Sequence, residues 1–243
     1  MKFQKDNIFI NTTLATALLI FSFIFSMFSE VKANMINSKE LNRENTIYLT
    51  FDDGPSNIVT DRILDILKQN GVKATFFVIG GRIHGKEKVL KRIANEGHSI
   101  GLHSYTHDYK RIYSSSEVFI KEMDDTQYAV KKVTGITSNI IRFPSGSKSY
   151  LNKNLLNKLH RKNYRVYDWN AALSDGLYPH TTPTMLLKES IKVYGRDPRV
   201  ILLMHCDDVN ANTCSALPKI IAYYKQKGYV FKVISNTTSE FYF

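Results

Sequence analysis

The chain has 243 residues, of which 33 are Lys or Arg and 22 are Asp or Glu, giving a formal net charge of +11. This length suits one sizeable domain with a single core. The basic residues are spread along the chain, which fits an anionic surrounding such as a cell wall or membrane surface. Because no nucleic-acid-binding motif accompanies them, the sequence argues against a nucleic acid as partner.

The N-terminal residues have the pattern of an export signal. The stretch "MKFQK" supplies two lysines, residues 14–28 are mostly apolar, and "VKA" at residues 31–33 has the small-residue pattern of a cleavage site. An uncleaved anchor is the alternative, because extending the apolar run back through Ile8 approaches the roughly 20 residues of a spanning helix. We expect residues 1–33 to form a signal peptide or N-terminal membrane anchor that engages the membrane during or after export. The rest of the chain would then be extracellular, secreted or membrane-anchored facing the cell wall.

A polar segment separates this signal from the predicted domain. Residues 34–45, "NMINSKELNREN", have no apolar period and predict a polar linker, so the domain would cover residues 46–243. From there, short β-branched and aromatic runs alternate with longer amphipathic stretches. The predicted strands are IYLTF, ATFFVIG, HSIGLHS, NIIRF, YRVYDW, VILLMH and YVFKVI. The predicted helices are TDRILDILKQNG, EKVLKRIANEG, SEVFIKEMDDTQYAVKKVTG, NKNLLNKLHRKN, PTMLLKESIKVYG and SALPKIIAYYKQKG.

This alternation predicts an α/β fold with a parallel sheet, closed or nearly closed into a barrel, in a single domain. An open doubly wound sheet is the alternative, because the sequence pattern does not decide whether the sheet closes. No glycine-rich phosphate-binding motif follows any predicted strand. A nucleotide-binding version of this architecture therefore lacks support.

Ionisable side chains lie at the ends of five predicted strands. These are Asp52 and Asp53, "HSYTH" at residues 103–107, "RFPSG" at residues 142–146, Asp168 with Trp169, and His205. In a parallel α/β barrel the C-terminal strand ends meet at one mouth, where catalytic groups are found. We therefore expect these side chains to form one site.

The chemistry of a metal site fits two of these strand ends. His103 and His107 are spaced i, i+4, which would place both imidazoles on one side of a helical turn. Adding one aspartate of "TFDDGP" makes a set of two histidines and one carboxylate, with an open position as in a catalytic zinc site. The neighbouring aspartate would then remove a proton from water. The alternative is an ordinary Asx-type turn, which explains the Gly and Pro but needs only one aspartate.

Five motifs carry a resemblance to a known family. "TFDDGP", "HSYTH", "RFPSG", "YDWN" and "LLMH" occur in this order, and with them the sequence resembles the polysaccharide deacetylases of carbohydrate esterase family 4. The resemblance extends from about residue 47 to residue 234. It implies a distorted seven-strand (β/α) barrel as the catalytic domain, a divalent metal, and a glycan polymer as substrate.

The resemblance also implies roles for the residues of the first three motifs. Asp52 would be the general base, and Asp53, His103 and His107 would bind the metal. Zn²⁺ is the natural ion for these ligands, and Co²⁺ or Ni²⁺ would fit them too. Arg142 would orient the catalytic acids.

The remaining implied roles concern the proton donor and the substrate. His205 would be the general acid, and Asp168 the acid that tunes or orients a cationic partner. The backbone N–H of Ser145 would donate to the oxyanion, Leu203 would line the pocket of the acetyl methyl group, and Trp169 would form part of the cleft wall.

Of three further sequence features, two leave alternatives open. Asp175, in "LSDGLYP", either reaches the cleft or lies outside it. Asp124 and Asp125 predict a solvated face of a helix. Cys206 and Cys214 either form a disulfide or remain two thiols, because their spacing alone does not establish a bridge.

The implied reaction is metal-dependent hydrolysis of N-acetyl groups from an N-acetylglucosamine-containing polysaccharide, with peptidoglycan as the expected polymer and acetate as product. One alternative is an O-acetyl esterase acting on another glycan, because the two activities share every motif. The other is a non-catalytic wall-binding barrel. The second is disfavoured, since the chain keeps all the residues expected to bind the metal and transfer protons.

Overall fold

The computed structural model describes residues 25–30 and 44–243. Residues 25–30 are helical (α1), and the other residues of the predicted signal, with most of the predicted linker, lie outside the described residues. In the described parts of the chain, no helix is long and apolar enough to span a membrane. Contacts between residues divide the chain into two units, Met1–Glu44 and Asn45–Phe243, and the second contains all the predicted site residues.

The second unit alternates strands and helices along the chain. The strands are β1 (Thr46–Gly54), β2 (Thr75–Val78), β3 (Ser99–Leu102), β4 (Ile140–Ile141), β5 (Arg165–Val166), β6 (Ala171–Ala172), β7 (Val200–His205) and β8 (Val230–Phe231). The α-helices are α2 (Val59–Gln69), α3 (Glu87–Asn95), α4 (Tyr109–Ile112), α5 (Ser116–Thr134), α6 (Lys153–Arg161), α7 (Pro183–Ser190) and α8 (Ala211–Gln226). A short 3-10 helix covers Gly80–Arg82.

All strand ladders are parallel, and the strand order is β5-β4-β3-β2-β1-β7-β6, with β8 beside the start of β1. Within residues 44–243 this hydrogen-bonded path ends at β5 and β6, so the curled sheet is a half-barrel. The predicted α/β fold, a distorted (β/α) barrel in a single domain, is confirmed. Each predicted strand has a counterpart, but β6 was not predicted, because two residues are too short to show a period.

The strand β1 lies inside the sheet, between β2 and β7, and its burial reflects this position. Its residues are buried except Asp53, which is half-buried, as expected for a strand covered on both faces. The helices cover the sheet with apolar stripes; α2, for example, buries Val59, Ile63, Leu64 and Leu67.

Gly135 ends α5 with a left-handed φ of 76°, a conformation that glycine adopts without steric cost.

The two cysteines are free and buried. The Cys206 thiol donates a weak hydrogen bond to the main-chain oxygen of Asp52, with a sulfur–oxygen distance of 3.2 Å. The structure therefore agrees with the alternative of two thiols, and Cys206 packs directly behind the first predicted motif.

Candidate active site

The two neighbouring aspartates at the end of β1 both face one cavity. Successive side chains of a regular strand point to opposite faces. Here the register of β1 against β2 shifts between Asp52 and Gly54, and Asp53 adopts a left-handed φ of 71°. The guanidinium of Arg82 donates to the main-chain oxygen of Asp53 at 2.8 Å. The irregularity therefore turns both carboxylates towards the same space.

Asp53, His103 and His107 form a donor set for a metal ion, with one ligand atom from each within 4.8 Å of the others. Asp53 Oδ1 lies 3.3 Å from His107 Nε2 and 3.6 Å from His103 Nε2. Asp53 Oδ1 is buried and has no hydrogen-bond partner among the described residues. A buried carboxylate oxygen without a partner is costly unless a cation completes it, so these residues fit a divalent metal.

The surroundings of His103 prepare its ring for a metal. Its Nδ1–H donates to the main-chain oxygen of Arg142 at 3.0 Å, which leaves the lone pair of Nε2 directed at the donor set. Burial lowers the pKa of His103 to about 3, and the charge of Asp53 only partly opposes this. The imidazole is therefore neutral at neutral pH, as a metal ligand must be.

The expectation that His103 and His107 share a helical turn is wrong. The residues between β3 and α4 are not helical, and Ser104 and His107 have left-handed φ values of 64° and 57°. The two rings nevertheless lie close, with centroids 5.3 Å apart. A loop, not a helix, brings them together, because left-handed residues interrupt the helical geometry.

Glu122 of α5 holds this loop from behind. Its carboxylate is almost fully buried and accepts hydrogen bonds from the backbone N–H groups of Tyr105 and Thr106, at 2.9 and 2.7 Å, and from the Thr106 hydroxyl at 3.0 Å. Its other oxygen accepts from Arg111 Nε at 2.8 Å. The segment between the two histidines is thus fixed by one buried carboxylate.

Asp52 is fixed by Arg142, which is fully buried. Arg142 Nη1 donates to Asp52 Oδ1 at 2.8 Å, while its other nitrogens donate to the main-chain oxygens of Tyr167 and Asp168 at 2.8 and 3.0 Å. Burial raises the pKa of Asp52, and the charge and hydrogen bond of Arg142 oppose that shift. Asp52 therefore has one oxygen held by Arg142 and the other, Oδ2, near the donor set.

His205 lies opposite Asp52 in the register of β1 and β7. Its Nδ1–H donates to Asp175 Oδ1 at 2.9 Å, and its backbone N–H donates to Asp175 Oδ2 at 2.9 Å. The hydroxyl of Thr213 also donates to Asp175 Oδ2, at 2.7 Å. Burial disfavours the imidazolium, but the hydrogen bond and charge of Asp175, with the charges of Asp52 and Asp53, raise the pKa of His205 to about 9. Asp175, which the sequence left open, is therefore the acid that contacts His205.

The carboxylate of Asp168 contacts the neighbouring backbone, and its predicted role towards a cationic partner stays a prediction. Its carboxylate accepts hydrogen bonds from the backbone N–H and the hydroxyl of Ser147 and from the backbone N–H of Phe243. None of the hydrogen bonds of this carboxylate in the described residues goes to a cationic side chain; only its main-chain oxygen accepts from Arg142. The side chain of Asp168 thus supports the neighbouring backbone, and the contact with His205 is made by an acid seven positions further along the chain.

These groups line a cavity of about 330 Å³. The predicted residues around it are Asp52, Asp53, His103, His107, Ser145, Trp169, Leu203 and His205. Arg142 lies behind it, in contact with Asp52. Ser145 has a left-handed φ of 69°, and its backbone N–H donates no hydrogen bond within the described residues. That N–H is therefore free to donate to a substrate.

Sequence reasoning missed three contributors to this site. Tyr109 lines the cavity with its ring against that of His107, at a centroid distance of 5.3 Å. Gly176 lies so close to His205 that a Cβ on it would come within 2.3 Å of the imidazole. Glu122 left a usable signal: it falls on the buried stripe of α5 with Phe119, Met123, Thr126 and Val130. A charged residue on an apolar stripe indicates a buried partner.

Comparison with known proteins identifies the family of the chain. The profile of the polysaccharide deacetylase family matches residues 39–167. YheN of Bacillus subtilis (strain 168) is 35% identical over 205 residues, which are 83% of this chain and 71% of YheN. A peptidoglycan-N-acetylglucosamine deacetylase of Bacillus cereus (strain ATCC 14579) is 34% identical over 188 residues, 76% of this chain and 67% of the relative. Among solved structures, a Streptococcus mutans CE4 esterase is similar with a TM-score of 0.73 at 34% identity, over 79% of this chain and 87% of the esterase. The chain therefore belongs to the polysaccharide deacetylase family and is an enzyme, a hydrolase of the N-deacetylase type that acts on carbon–nitrogen bonds.

Proposed function

We propose that this enzyme removes N-acetyl groups from N-acetylglucosamine residues of peptidoglycan and releases acetate. The observation that carries the proposal is the pairing of Asp52 with His205 across β1 and β7, beside the donor set of Asp53, His103 and His107. A proton acceptor and a proton donor thus flank a metal site in one cavity. The Bacillus cereus relative, named as a peptidoglycan-N-acetylglucosamine deacetylase, supports the choice of polymer.

We assign the donor set to a zinc ion held by Asp53, His103 and His107, although Co²⁺ and Ni²⁺ fit the same ligands. When bound, the ion would polarise the acetyl carbonyl as a Lewis acid and lower the pKa of water in the site. The unpartnered Asp53 Oδ1 supports this assignment, because it needs a cation to compensate its burial.

Asp52 would act as the general base. Arg142 holds Asp52 Oδ1, so Oδ2 is the atom that would take the proton of the attacking water. The backbone N–H of Ser145 would donate to the oxyanion that develops on the acetyl carbonyl. Leu203, on the cavity wall, would contact the acetyl methyl group, and Trp169 would contact the sugar.

His205 would act as the general acid. Because Nδ1 is engaged by Asp175 at 2.9 Å, Nε2 is the atom that would deliver a proton to the leaving amine. The raised pKa of His205 keeps the ring protonated at neutral pH, which suits a proton donor. The products would be acetate and a free glucosaminyl amine.

Acetate release tests this proposal. Zinc-loaded enzyme and chelator-treated enzyme would be incubated in parallel with purified peptidoglycan, with N-acetylglucosamine oligomers and with an O-acetylated xylan. We expect release from the N-acetyl substrates, lost with the chelator and restored by zinc. Release only from the O-acetylated glycan would instead establish an esterase, and binding to peptidoglycan without any release would establish a non-catalytic wall protein.

We further propose that the enzyme is exported and acts on the outer side of the membrane, with its N-terminal segment engaging the membrane during or after export. The support is the sequence pattern of residues 1–33. Fractionation of cells that express the full chain, followed by mass spectrometry of the N-terminus, tests this. A cleaved N-terminus in the medium indicates a signal peptide, an intact one in the membrane fraction indicates an anchor, and retention in the cytoplasm would contradict the proposal.

A further inference from the structure

The main-chain oxygen of Pro144 accepts a hydrogen bond from the hydroxyl of Tyr113 at 2.5 Å. Pro144 is buried and comes directly before Ser145, which lines the catalytic cavity. In the described residues no backbone N–H donates to the Pro144 oxygen. The C=O of Pro144 and the N–H of Ser145 belong to one planar peptide group, so the partner of the oxygen decides where the N–H points.

Residues 143–146 form a β-turn, closed by a hydrogen bond from the backbone N–H of Gly146 to the main-chain oxygen of Phe143 at 2.9 Å. Pro144 occupies the second position of the turn, where its ring fixes a negative φ. Ser145 occupies the third position with a left-handed φ of 69°. This combination is a type II turn, whose third position favours Gly or Asn. Ser145 therefore holds a conformation that its side chain disfavours.

The alternative for the same four residues is a type I turn, in which Ser145 would have a negative φ. The two turns differ by a half-rotation of the central peptide, Pro144–Ser145, which reverses its C=O and its N–H. In a trans peptide these two groups point in opposite directions. Ser145 lines the catalytic cavity, whereas Tyr113 lies outside its lining. An oxygen directed at Tyr113 therefore leaves the Ser145 N–H directed at the cavity.

Stacked aromatic rings fix the position of the Tyr113 hydroxyl. The ring of Tyr113 lies parallel to that of Tyr150, with centroids 3.4 Å apart. It also stacks on the rings of Phe119 and Phe143, at centroid distances of 6.0 and 6.5 Å, and both of these residues are buried. The hydroxyl is thus presented to Pro144 by a ring that has little freedom to turn.

We infer that Tyr113 is a positioning residue, whose hydroxyl keeps the Pro144–Ser145 peptide in the type II orientation with the Ser145 N–H directed at the cavity. This inference rests on the proposed function, in which that N–H donates to the oxyanion. Without the hydroxyl, the disfavoured φ of Ser145 would favour the reversed peptide, and the donor would turn away from the cavity. The metal ligands and the cavity walls would stay in place, so the chemical step alone would slow.

The kinetic test uses Tyr113→Phe, which removes the hydroxyl and keeps the stacked ring. On the N-acetylglucosamine pentasaccharide we expect kcat to fall about tenfold, less than the roughly 10²–10³-fold cost of losing an oxyanion donor outright, while KM and zinc affinity stay unchanged. Tyr150→Phe is the matched control, because it removes the hydroxyl of the other ring in the stack, and it should leave kcat unchanged. Adding Ser145→Gly to Tyr113→Phe should restore most of kcat, because glycine favours the left-handed third position.

A structural measurement separates failure of this inference from failure of the proposed function. The nuclear Overhauser effect between the Pro144 Hα and the Ser145 amide proton reports the peptide orientation, because these protons are close in a type II turn and distant in a type I turn. It should weaken in Tyr113→Phe and return in the double variant with Ser145→Gly. Wild-type enzyme that releases no acetate would reject the proposed reaction, while the weakened effect would still assign the peptide orientation to Tyr113.

Three results would overturn the inference. One is an unchanged Overhauser effect in Tyr113→Phe. The others, in an enzyme whose wild type releases acetate, are an unchanged kcat in Tyr113→Phe and a loss of kcat that Ser145→Gly does not reduce.

Discussion

The two sides of the catalytic cavity differ in how far their polar atoms find hydrogen-bond partners within the protein. On the metal side, formed by Asp53, His103 and His107, a buried carboxylate oxygen has no partner in the described residues, and the nearest imidazole nitrogens are 3.3 and 3.6 Å away. On the acid side, formed by His205 and Asp175, both carboxylate oxygens accept hydrogen bonds. The protein alone completes the acid side, but not the metal side.

This difference shows how the same fold prepares two kinds of chemistry. On the metal side the protein supplies orientation from behind, through Glu122 and the main-chain oxygen of Arg142, and leaves the ligand atoms free. On the acid side it supplies a carboxylate that keeps a proton on His205. Substitutions on the metal side should therefore change metal binding, and those on the acid side should change the response to pH.

The largest effect is expected from substituting Asp52 and Asp53. The two substitutions distinguish the proposed base from the proposed metal ligand. Asp52→Asn and Asp53→Asn should each lower kcat for deacetylation by about 10²–10⁴-fold. Only Asp53→Asn should lose zinc, because Asp53 Oδ1 belongs to the donor set while Asp52 is bonded to Arg142. Acetate assays and zinc analysis after dialysis check this. Loss of zinc from Asp52→Asn, with zinc retained by Asp53→Asn, would reverse the two roles.

A smaller effect is expected behind the metal side. Glu122→Gln replaces a carboxylate that accepts from two backbone N–H groups and an arginine, so the loop between the histidines should loosen and zinc affinity should fall about 10–100-fold. Competition with a chromophoric chelator measures the affinity. Asp125→Asn is the matched control, since Asp125 lies on the same helix but, among the described residues, forms its ion pair with Lys121 on the surface. Circular dichroism verifies the fold, and wild-type affinity in folded Glu122→Gln would show that other contacts hold the loop.

The sequence alone could predict most of the metal side and only half of the acid side. The strand-end rule locates Asp52, Asp53, His103 and His205, because apolar runs mark the strands and their ends follow directly. The partner of His205 could not be chosen in the same way. Asp175 lies in the loop after the two-residue strand β6, and its contact with His205 spans 30 positions of sequence. Tertiary contacts of this kind leave no periodic signal.

Most of the fold could also be predicted from the pattern of apolar residues. Alternating apolar runs and amphipathic stretches predicted the strands and the longer helices, whereas β6 and the four-residue helix α4 are too short to show a period. The prediction of a helical turn for His103 and His107 is wrong, because the i, i+4 spacing of two residues does not determine their backbone φ angles. Left-handed residues at Ser104 and His107 belong to a loop that Glu122 holds.

An effect on the pH profile is expected from the acid side. In Asp175→Asn the burial of His205 is opposed only by the charges of Asp52 and Asp53, so the pKa of His205 should fall from about 9 towards its ordinary value. The alkaline limb of kcat/KM should then move to lower pH, with about tenfold lower activity at pH 7.5, while zinc affinity stays unchanged. Rate profiles from pH 5.5 to 10 check this. An unshifted alkaline limb would show that His205 is not the proton donor.

The smallest effect concerns stability rather than rate. The folded-state pKa of His205, about 9, lies above the ordinary value of 6.5, so the pair with Asp175 stabilises the fold fully below about pH 6.5 and loses this contribution as the pH rises through about 9. The free energy of unfolding of wild type should exceed that of Asp175→Asn by about 1–2 kcal/mol at pH 6.5, and the gap should narrow by pH 9.5. Urea unfolding of chelator-treated proteins measures it, because metal binding is itself pH-dependent and would mask the change. A gap that stays constant over this range would mean that Asp175 stabilises the fold through Thr213 and the backbone of β7, and that the charge of His205 contributes nothing.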